Sequence, residues 1–422
     1  MVWGNGVQAG SRRRAASPSR WFQGACRTAA GRGLRSGWVL GVTSVAGVEV
    51  QQRSGSSRLL AWRRFDFGLL AATVAVTGVG LVVIYSATRG SGPVPVRSFV
   101  DRQMTFAFVG AGLAGAISVF DYRRLRRLVA PFYVVAMVVL VAVALVGVSV
   151  NGHRAWFRVG SVQLQPSEFT KPVVIVALAA FCTVGRSVPS LRQLFAGVAI
   201  VATPAAIIML QPDLGTVLVY VAFMVAVLVV AGARPRHLLL LGAVAVFATV
   251  AMLRVGVLDP YQVNRLTAFV DDTPTTQNKN VFAQQKNAQT AIGSGGILGQ
   301  GLFEGTQKRS QLVAERHTDF IFTVVGEEFG FVGAAGLLAC YGFMISRIWR
   351  IGSGAGDLFG TLICTGVLAM FMFQIFESVG MTTGIMPITG IPLPFVSYGG
   401  SSVLTSFVGI GLVESVRMHR VD

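Results

Sequence analysis

The run Glu315-Arg316-His317-Thr318-Asp319-Phe320 brings four ionisable groups to the start of an apolar stretch. Charge at the rim of such a stretch is costly, and where it occurs it usually serves function. A carboxylate there can act as a general base toward water or a sugar hydroxyl, while Arg316 can hold an anion. If the helix begins this early, Glu315 and Asp319 stand four apart and share a face. The structural alternative is an interfacial salt-bridge cluster that anchors the helix.

Two further helices open on one device, Gln165-Pro166-Ser167-Glu168 and Gln211-Pro212-Asp213-Leu214, with proline suited to the first turn and an acid complementing the helix dipole. Lys171 lies three residues after Glu168, on the same face and inside an apolar block, so it needs a partner or a cavity. Either the two form an ion pair or Lys171 receives a phosphate; spacing alone leaves both open. Arg154 and Trp156 mark an interface, the Trp as an aromatic-belt anchor. Glu327 and Glu328 lie about two turns beyond Asp319 and point to different sides of their helix, which suits packing or a cavity better than catalysis. Glu377 reads as a structural hydrogen-bonding group. The four histidines show no zinc-ligand spacing. The glycine-rich run between Gly293 and Gly305 is neither a Walker loop nor a GxGxxG after a strand, which argues against nucleotide binding.

The elements that carry these groups are long and oily. The chain has 422 residues, 53% apolar and only 13% charged, against about 25% charged in soluble domains. Its apolar residues fall in blocks near the roughly 20 residues a helix needs to cross a bilayer: 67–86, 103–120, 129–149, 169–184, 194–210, 213–232, 236–257, 318–346, 356–385 and 395–416. Short alternating segments of a transmembrane barrel are not seen. The expected fold is an all-α polytopic membrane protein of ten transmembrane helices. Arginines cluster in alternate links, around Arg123–Arg127, Arg186, Arg234, Arg347 and Arg417, which puts those links inside. The large segment 258–317, between helices 7 and 8, is then extracytoplasmic, and its length marks it as a place for chemistry. Pro392, Pro394 and Gly399-Gly400 break the last apolar region into a re-entrant turn, tolerated where protein or a wet cavity satisfies the backbone.

The net charge of +18 is unevenly spread, with eleven of the 36 Lys and Arg before Asp66. Residues 1–60 read as a basic, disordered cytoplasmic extension, and 61–422 as the membrane domain. No basic stripe with interleaved aromatics suggests nucleic acid, and the four cysteines form no disulfide framework.

Across residues 65–420 the chain resembles the SEDS family of shape, elongation, division and sporulation proteins. The resemblance rests on Tyr85-Ser86-Ala87, Gln165-Pro166-Ser167-Glu168-Phe169 with Lys171, Gln211 to Thr216, Ala291 to Gly296, Glu315 to Phe320, and Pro392 to Ser401. The run Gly380-Met381-Thr382 and Thr389 to Pro394 looks like the elongation branch; Glu377-Ser378 and the extension depart from the family pattern. The resemblance implies a peptidoglycan glycosyltransferase that polymerises lipid II on the outer face of the bacterial cytoplasmic membrane. It also implies a class B penicillin-binding transpeptidase, membrane lipid and the elongation machinery as partners. The family's essential carboxylate maps onto Asp319. Arg154, Lys171 and Arg316 become candidates for the leaving pyrophosphate, with Glu315, His317, Glu168 and Ser397 beside them. A divalent cation, magnesium or manganese, is an option, and no organic cofactor is expected. Two rival readings are a lipid II flippase, since buried carboxylates and broken helices also describe transporters, and a scaffold without catalysis.

Overall fold

The computed structural model describes residues 64–89, 96–150, 153–160, 162–184, 191–255, 263, 265, 269, 279–305 and 317–420. The extension 1–60, parts of 258–317 and the site candidates Glu315 and Arg316 lie outside the described residues.

The element order is α1 (Phe67–Thr88), α2 (Val96–Val119), α3 (Tyr122–Val146), β1 (Val148–Val150), β2 (His153–Val159), β3 (Val162–Leu164), α4 (Pro166–Cys182), α5 (Leu191–Met209), α6 (Leu214–Val230), α7 (Pro235–Val255), α8 (Lys279–Ser294), α9 (Ile321–Ser353), α10 (Leu358–Thr383) and α11 (Gly400–Met418). Each apolar block of the sequence falls on one of these helices. Five of them, α1, α3, α5, α9 and α10, are long and apolar enough to cross a membrane by length and composition. The protein is a multi-pass membrane protein, mostly helical.

Three features differ from the expected all-α fold. The link after α3 is a three-stranded antiparallel sheet, in which β2 pairs with both β1 and β3 and carries Arg154. Strands of three to seven residues are too short to reveal themselves by period. The 258–317 segment contains α8, a polar helix whose Ala288 and Ala291 are buried with Phe320, Met381 and Ile388. And α9 starts only at Ile321, with residues 317–320 forming a turn, so the helical i,i+4 relation expected of Glu315 and Asp319 does not apply.

The helix starts follow from their residues. Asp66 caps α1 by accepting from Leu69 N at 2.9 Å, and Asp213 caps α6 by accepting from Thr216 N at 2.9 Å. The two Gln-Pro devices therefore differ. Pro166 is the first helical residue of α4, whereas Pro212 precedes the cap of α6. Gln165 Nε2 donates to Asp213 Oδ2 at 3.1 Å and ties the two helix starts together.

Helix α9 is broken at Gly330, where φ is 64° and ψ −161°. A break inside an apolar helix frees backbone groups that lipid cannot satisfy. Here the glycine-rich run satisfies them. Gln300 N donates to Glu327 O at 2.9 Å and Gly301 N to Glu328 O at 3.2 Å, while Phe331 N donates to Gly296 O at 2.9 Å and Val332 N to Ile297 O at 3.1 Å. The close approach needs bare backbone, because a Cβ on Gly330 would overlap Gly299 N and one on Gly299 would overlap Glu328 O. The chemistry sought in this run is thus the repair of a broken helix. Gly330→Ala, which adds strain at positive φ to a backbone overlap, is expected to cost on the order of 3 kcal/mol or more, read as a lowered thermal midpoint in detergent.

Candidate active site

The segment between α10 and α11, residues 384–399, is non-helical and largely buried, as the prolines and glycines predict. Its backbone is held by protein groups. Tyr341 OH donates to Pro394 O at 2.5 Å, Gln103 Nε2 donates to Ser397 O at 3.0 Å, and Gly399 N donates to Gln103 Oε1 at 3.3 Å. Thr389 Oγ1 donates to Glu377 Oε1 at 2.8 Å, giving Glu377 the structural bond expected of it. Tyr341 is 1% exposed, so Tyr341→Phe leaves a buried carbonyl unpaired. That variant is expected to lose about 1–3 kcal/mol of stability, checked by thermal unfolding of the purified protein.

This re-entrant segment clamps the turn that carries Asp319. Tyr398 N donates to His317 O at 2.9 Å, and Ser397 Oγ donates to Thr318 O at 2.7 Å while accepting from Leu393 N at 2.8 Å. Ser397 is therefore a brace between the two segments. The His317 ring lies 5.5 Å from that of Phe99 and 5.9 Å from that of Tyr398, centroid to centroid. On the other side, Phe320 is 1% exposed and packs with Ile388 and Met381. Asp319, half-buried, is fixed from both directions. That fixity is what a positioned base needs.

Gly390 faces the Asp319 carboxylate. With φ at +79° it occupies the left-handed region that glycine adopts without penalty. A Cβ built on it would stand 3.1 Å from Asp319 Oδ2 and 3.7 Å from Arg265 Nη1. An anion and a cation therefore flank one small space beside the re-entrant segment. No sequence pattern marked Arg265, a single basic residue in a long polar stretch.

The other candidates lie apart from this clamp or outside the described residues. Lys171 is 1% exposed, and its Nζ meets Glu168 Oε1 at 2.5 Å. Of the two alternatives left open by their spacing, the ion pair is the arrangement observed. Arg154 is exposed on β2. Glu327 and Glu328 do diverge: Ser86 Oγ donates to Glu328 Oε1 at 2.5 Å, whereas the Glu327 carboxylate lies against Gly305. Neither faces the Gly390 space in any contact described. Among the described residues no group of three or more His, Cys, Asp or Glu could hold a metal ion. They do not build the protein cage that a divalent cation would need.

Phe322, three residues beyond Asp319, lines a cavity of about 690 Å³. Its walls are apolar and rich in small residues, Gly293, Gly296, Gly326, Gly330, Ala334 and Ala335 among them, with Leu338 and Val379. The clasp at the α9 break forms part of the wall, so backbone repair and cavity shape are the same feature.

Comparison with known proteins gives this geometry its context. Residues 67–422 match the family of FtsW, RodA and SpoVE, described as cell cycle protein. The chain is similar to stage V sporulation protein E of Bacillus subtilis (strain 168), at 34% identity over 84% of this chain and 97% of the relative. It is also similar to peptidoglycan glycosyltransferase RodA of Treponema pallidum (strain Nichols), at 31% identity over 85% of this chain and 98% of that one. A solved structure, reported for the structural coordination of polymerization and crosslinking by a peptidoglycan synthase complex, superposes with a TM-score of 0.71 at 32% identity, covering 84% of this chain and 97% of that chain.

Proposed function

This chain belongs to the FtsW, RodA and SpoVE family, and from that membership we propose that it is a peptidoglycan glycosyltransferase that polymerises lipid II in concert with a class B penicillin-binding transpeptidase. Its relatives carry the glycosyltransferase name, and the similar solved chain comes from a synthase complex that couples polymerization to crosslinking. The protein crosses the bacterial cytoplasmic membrane ten times, once with each apolar block, and the Asp319 site opens on the outer face. Arginine-rich links on the opposite side support that orientation. The Thr389 to Pro394 run supports service in elongation.

In the proposed reaction the acceptor is the 4-hydroxyl of a GlcNAc residue, and the donor is a glycan whose muramyl anomeric carbon is bonded to undecaprenyl pyrophosphate. Asp319 takes the hydroxyl proton as the oxygen attacks that carbon. The bond from carbon to phosphate oxygen breaks on the far side, which inverts the centre in a single displacement. The polyprenyl tail lies along the apolar cavity lined by Phe322, Ala334 and Leu338, which keeps the sugars at the clamp. The observation that carries this reading is the half-buried Asp319 carboxylate, on a turn clamped by the re-entrant segment three residues before Phe322, which lines the apolar cavity. A divalent cation, magnesium or manganese, would assist the leaving group by bridging pyrophosphate oxygens.

The test is glycan-strand formation from labelled lipid II by the purified chain with its transpeptidase partner, penicillin present. Polymer from wild type supports the reading. Transfer of lipid II across liposome membranes without polymer would replace it with the flippase.

A further inference from the structure

A second apolar cavity, of about 320 Å³, lies between α3, α4 and α5 at their ends away from the sheet. On α3 its lining runs from Arg126 to Tyr133, and on α4 and the turn after it from Ala177 to Val184, each with the i, i+3, i+4, i+7 spacing of one helical face. Facing stripes of this kind normally close by interdigitation. Here Ala130, Ala177 and Ala180 are too small to fill the space, and a groove stays open. Because α3 runs toward the sheet and α4 away from it, Arg126 and Val184 stand at the mouth and Tyr133 and Ala177 at the inner end. Tyr133 OH shuts that end by donating to Ile200 O at 2.8 Å. The carbonyl is available because Pro204, four residues on in α5, has no N–H to give it. From Arg126 to Tyr133 is about 10 Å of helix, which fits within one leaflet of a hydrocarbon core roughly 30 Å thick.

The mouth is strongly basic. Arg123, Arg124, Arg126 and Arg127 fall in the first two turns of α3, all exposed, and its first turn carries no acid. Arg123 lies over the Tyr122 ring at 5.5 Å and Arg124 over the Phe120 ring at 5.9 Å. Asp121 caps the helix by accepting from Arg123 N at 3.0 Å. Arg126 borders the groove and has no ion-pair partner among the described residues. The positive end of the α3 dipole adds to the same field.

Ala130 and Val184 are exposed, so the groove opens sideways to the surrounding hydrocarbon. We propose that it seats one chain of a phospholipid whose anionic headgroup pairs with Arg126. The guanidinium fork matches two oxygens of a phosphodiester, and basic pockets between helices select anionic headgroups. A zwitterionic lipid brings its own cation into the arginine cluster and loses that advantage. The tail leaves lipid for protein that is equally apolar, so the hydrophobic effect adds little. Seating therefore depends on the shape of the groove and selectivity on the headgroup. A seated tail fills the space between α3 and the helix that carries Glu168 and Lys171. The site is separate from Asp319 and stands whether or not the chain polymerises lipid II.

The test uses the full-length chain in nanodiscs holding equal parts of dioleoyl phosphatidylglycerol and dioleoyl phosphatidylcholine. After gentle detergent extraction, the lipids retained per chain are counted by native mass spectrometry. Wild type is expected to retain phosphatidylglycerol over phosphatidylcholine by about fivefold or more, the scale of one arginine at an anionic surface. Arg126→Gln should lower that preference by about fivefold, whereas Arg127→Gln, which removes the same charge from a residue outside the lining, should stay within about twofold of wild type. Ala130→Phe keeps all four arginines but fills the groove, and it should lose the retained lipid with its thermal midpoint unchanged. Should Ala130→Phe fail to fold, Ala130→Leu makes the same test with a smaller side chain. Equal losses in Arg126→Gln and Arg127→Gln would make the preference a property of the whole basic belt. A lipid still retained by the folded groove-filling variant would put its seat elsewhere. Either result overturns the proposal, as does a wild type that keeps the two lipids equally.

Discussion

Asp319→Asn should lower the rate of glycan polymerisation by about 10²–10⁴-fold, the range contributed by a positioned proton acceptor, while the thermal midpoint stays near that of wild type. Asparagine keeps the shape that sits against Gly390 but cannot take the acceptor's proton. The turn is held through the carbonyls of His317 and Thr318 and through the buried Phe320 ring, none of which the substitution touches. Asparagine gives up a charge that stands across the Gly390 space from Arg265, so stability should move by about 1 kcal/mol or less, the range of a partly exposed charge pair. Asp319→Glu is informative in the other direction. It retains the base but extends it by one methylene into a space that Gly390 already leaves tight, and a displacement of about 1 Å is worth roughly 10²-fold. Single-turnover polymerisation of labelled lipid II, with the folded fraction measured on the same sample, reads both effects. Polymer from Asp319→Asn within twofold of wild type would move proton transfer to another group.

The parts of this site differ in how far sequence could reveal them. Long apolar blocks announce helices because crossing a bilayer requires length as well as hydrophobicity, and every block lies on a helix. Asp319 stood out because an acid at the edge of such a block is expensive. The re-entrant segment was legible for a related reason, since prolines and paired glycines cannot continue a helix, and residues 384–399 do not. The sheet around Arg154 was not legible: Val148–Val150 and Val162–Leu164 are shorter than any usable period. The glycine run could be freed of nucleotide chemistry by its pattern, but not assigned to the α9 break. That role depends on which carbonyls Gly330 leaves open some thirty residues away. Arg265 carried no local signal at all. Its meaning comes from Gly390, which lies in the re-entrant segment more than a hundred residues away and matters through the side chain it lacks. The i,i+3 spacing of Glu168 and Lys171 was equally compatible with a phosphate ligand and with a pair, because the same helical face serves both.

For that pair the largest stability effect is expected, and it should be strongly non-additive. Glu168 and Lys171 side chains are 4% and 1% exposed, and Glu168 Oε2 is buried without a hydrogen-bond partner among the described residues. Lys171→Met strands a carboxylate in the bundle, and Glu168→Leu strands an ammonium. Each is expected to cost about 3–5 kcal/mol, the usual result of removing one member of a buried ion pair. The double variant removes both charges and both desolvation costs, and replaces them with apolar volume against a helix whose Val174, Ile175 and Leu178 are already buried. It should recover most of the loss, so that the coupling measured by a double-mutant cycle amounts to several kcal/mol. Thermal unfolding in one detergent at one lipid concentration gives the four values. Additive losses would mean that each residue answers to a different partner, and Lys171 would return as a candidate for the pyrophosphate. Strong coupling, together with polymer formation kept in the double variant, leaves the pair as the bond that sets the start of α4 in the bundle.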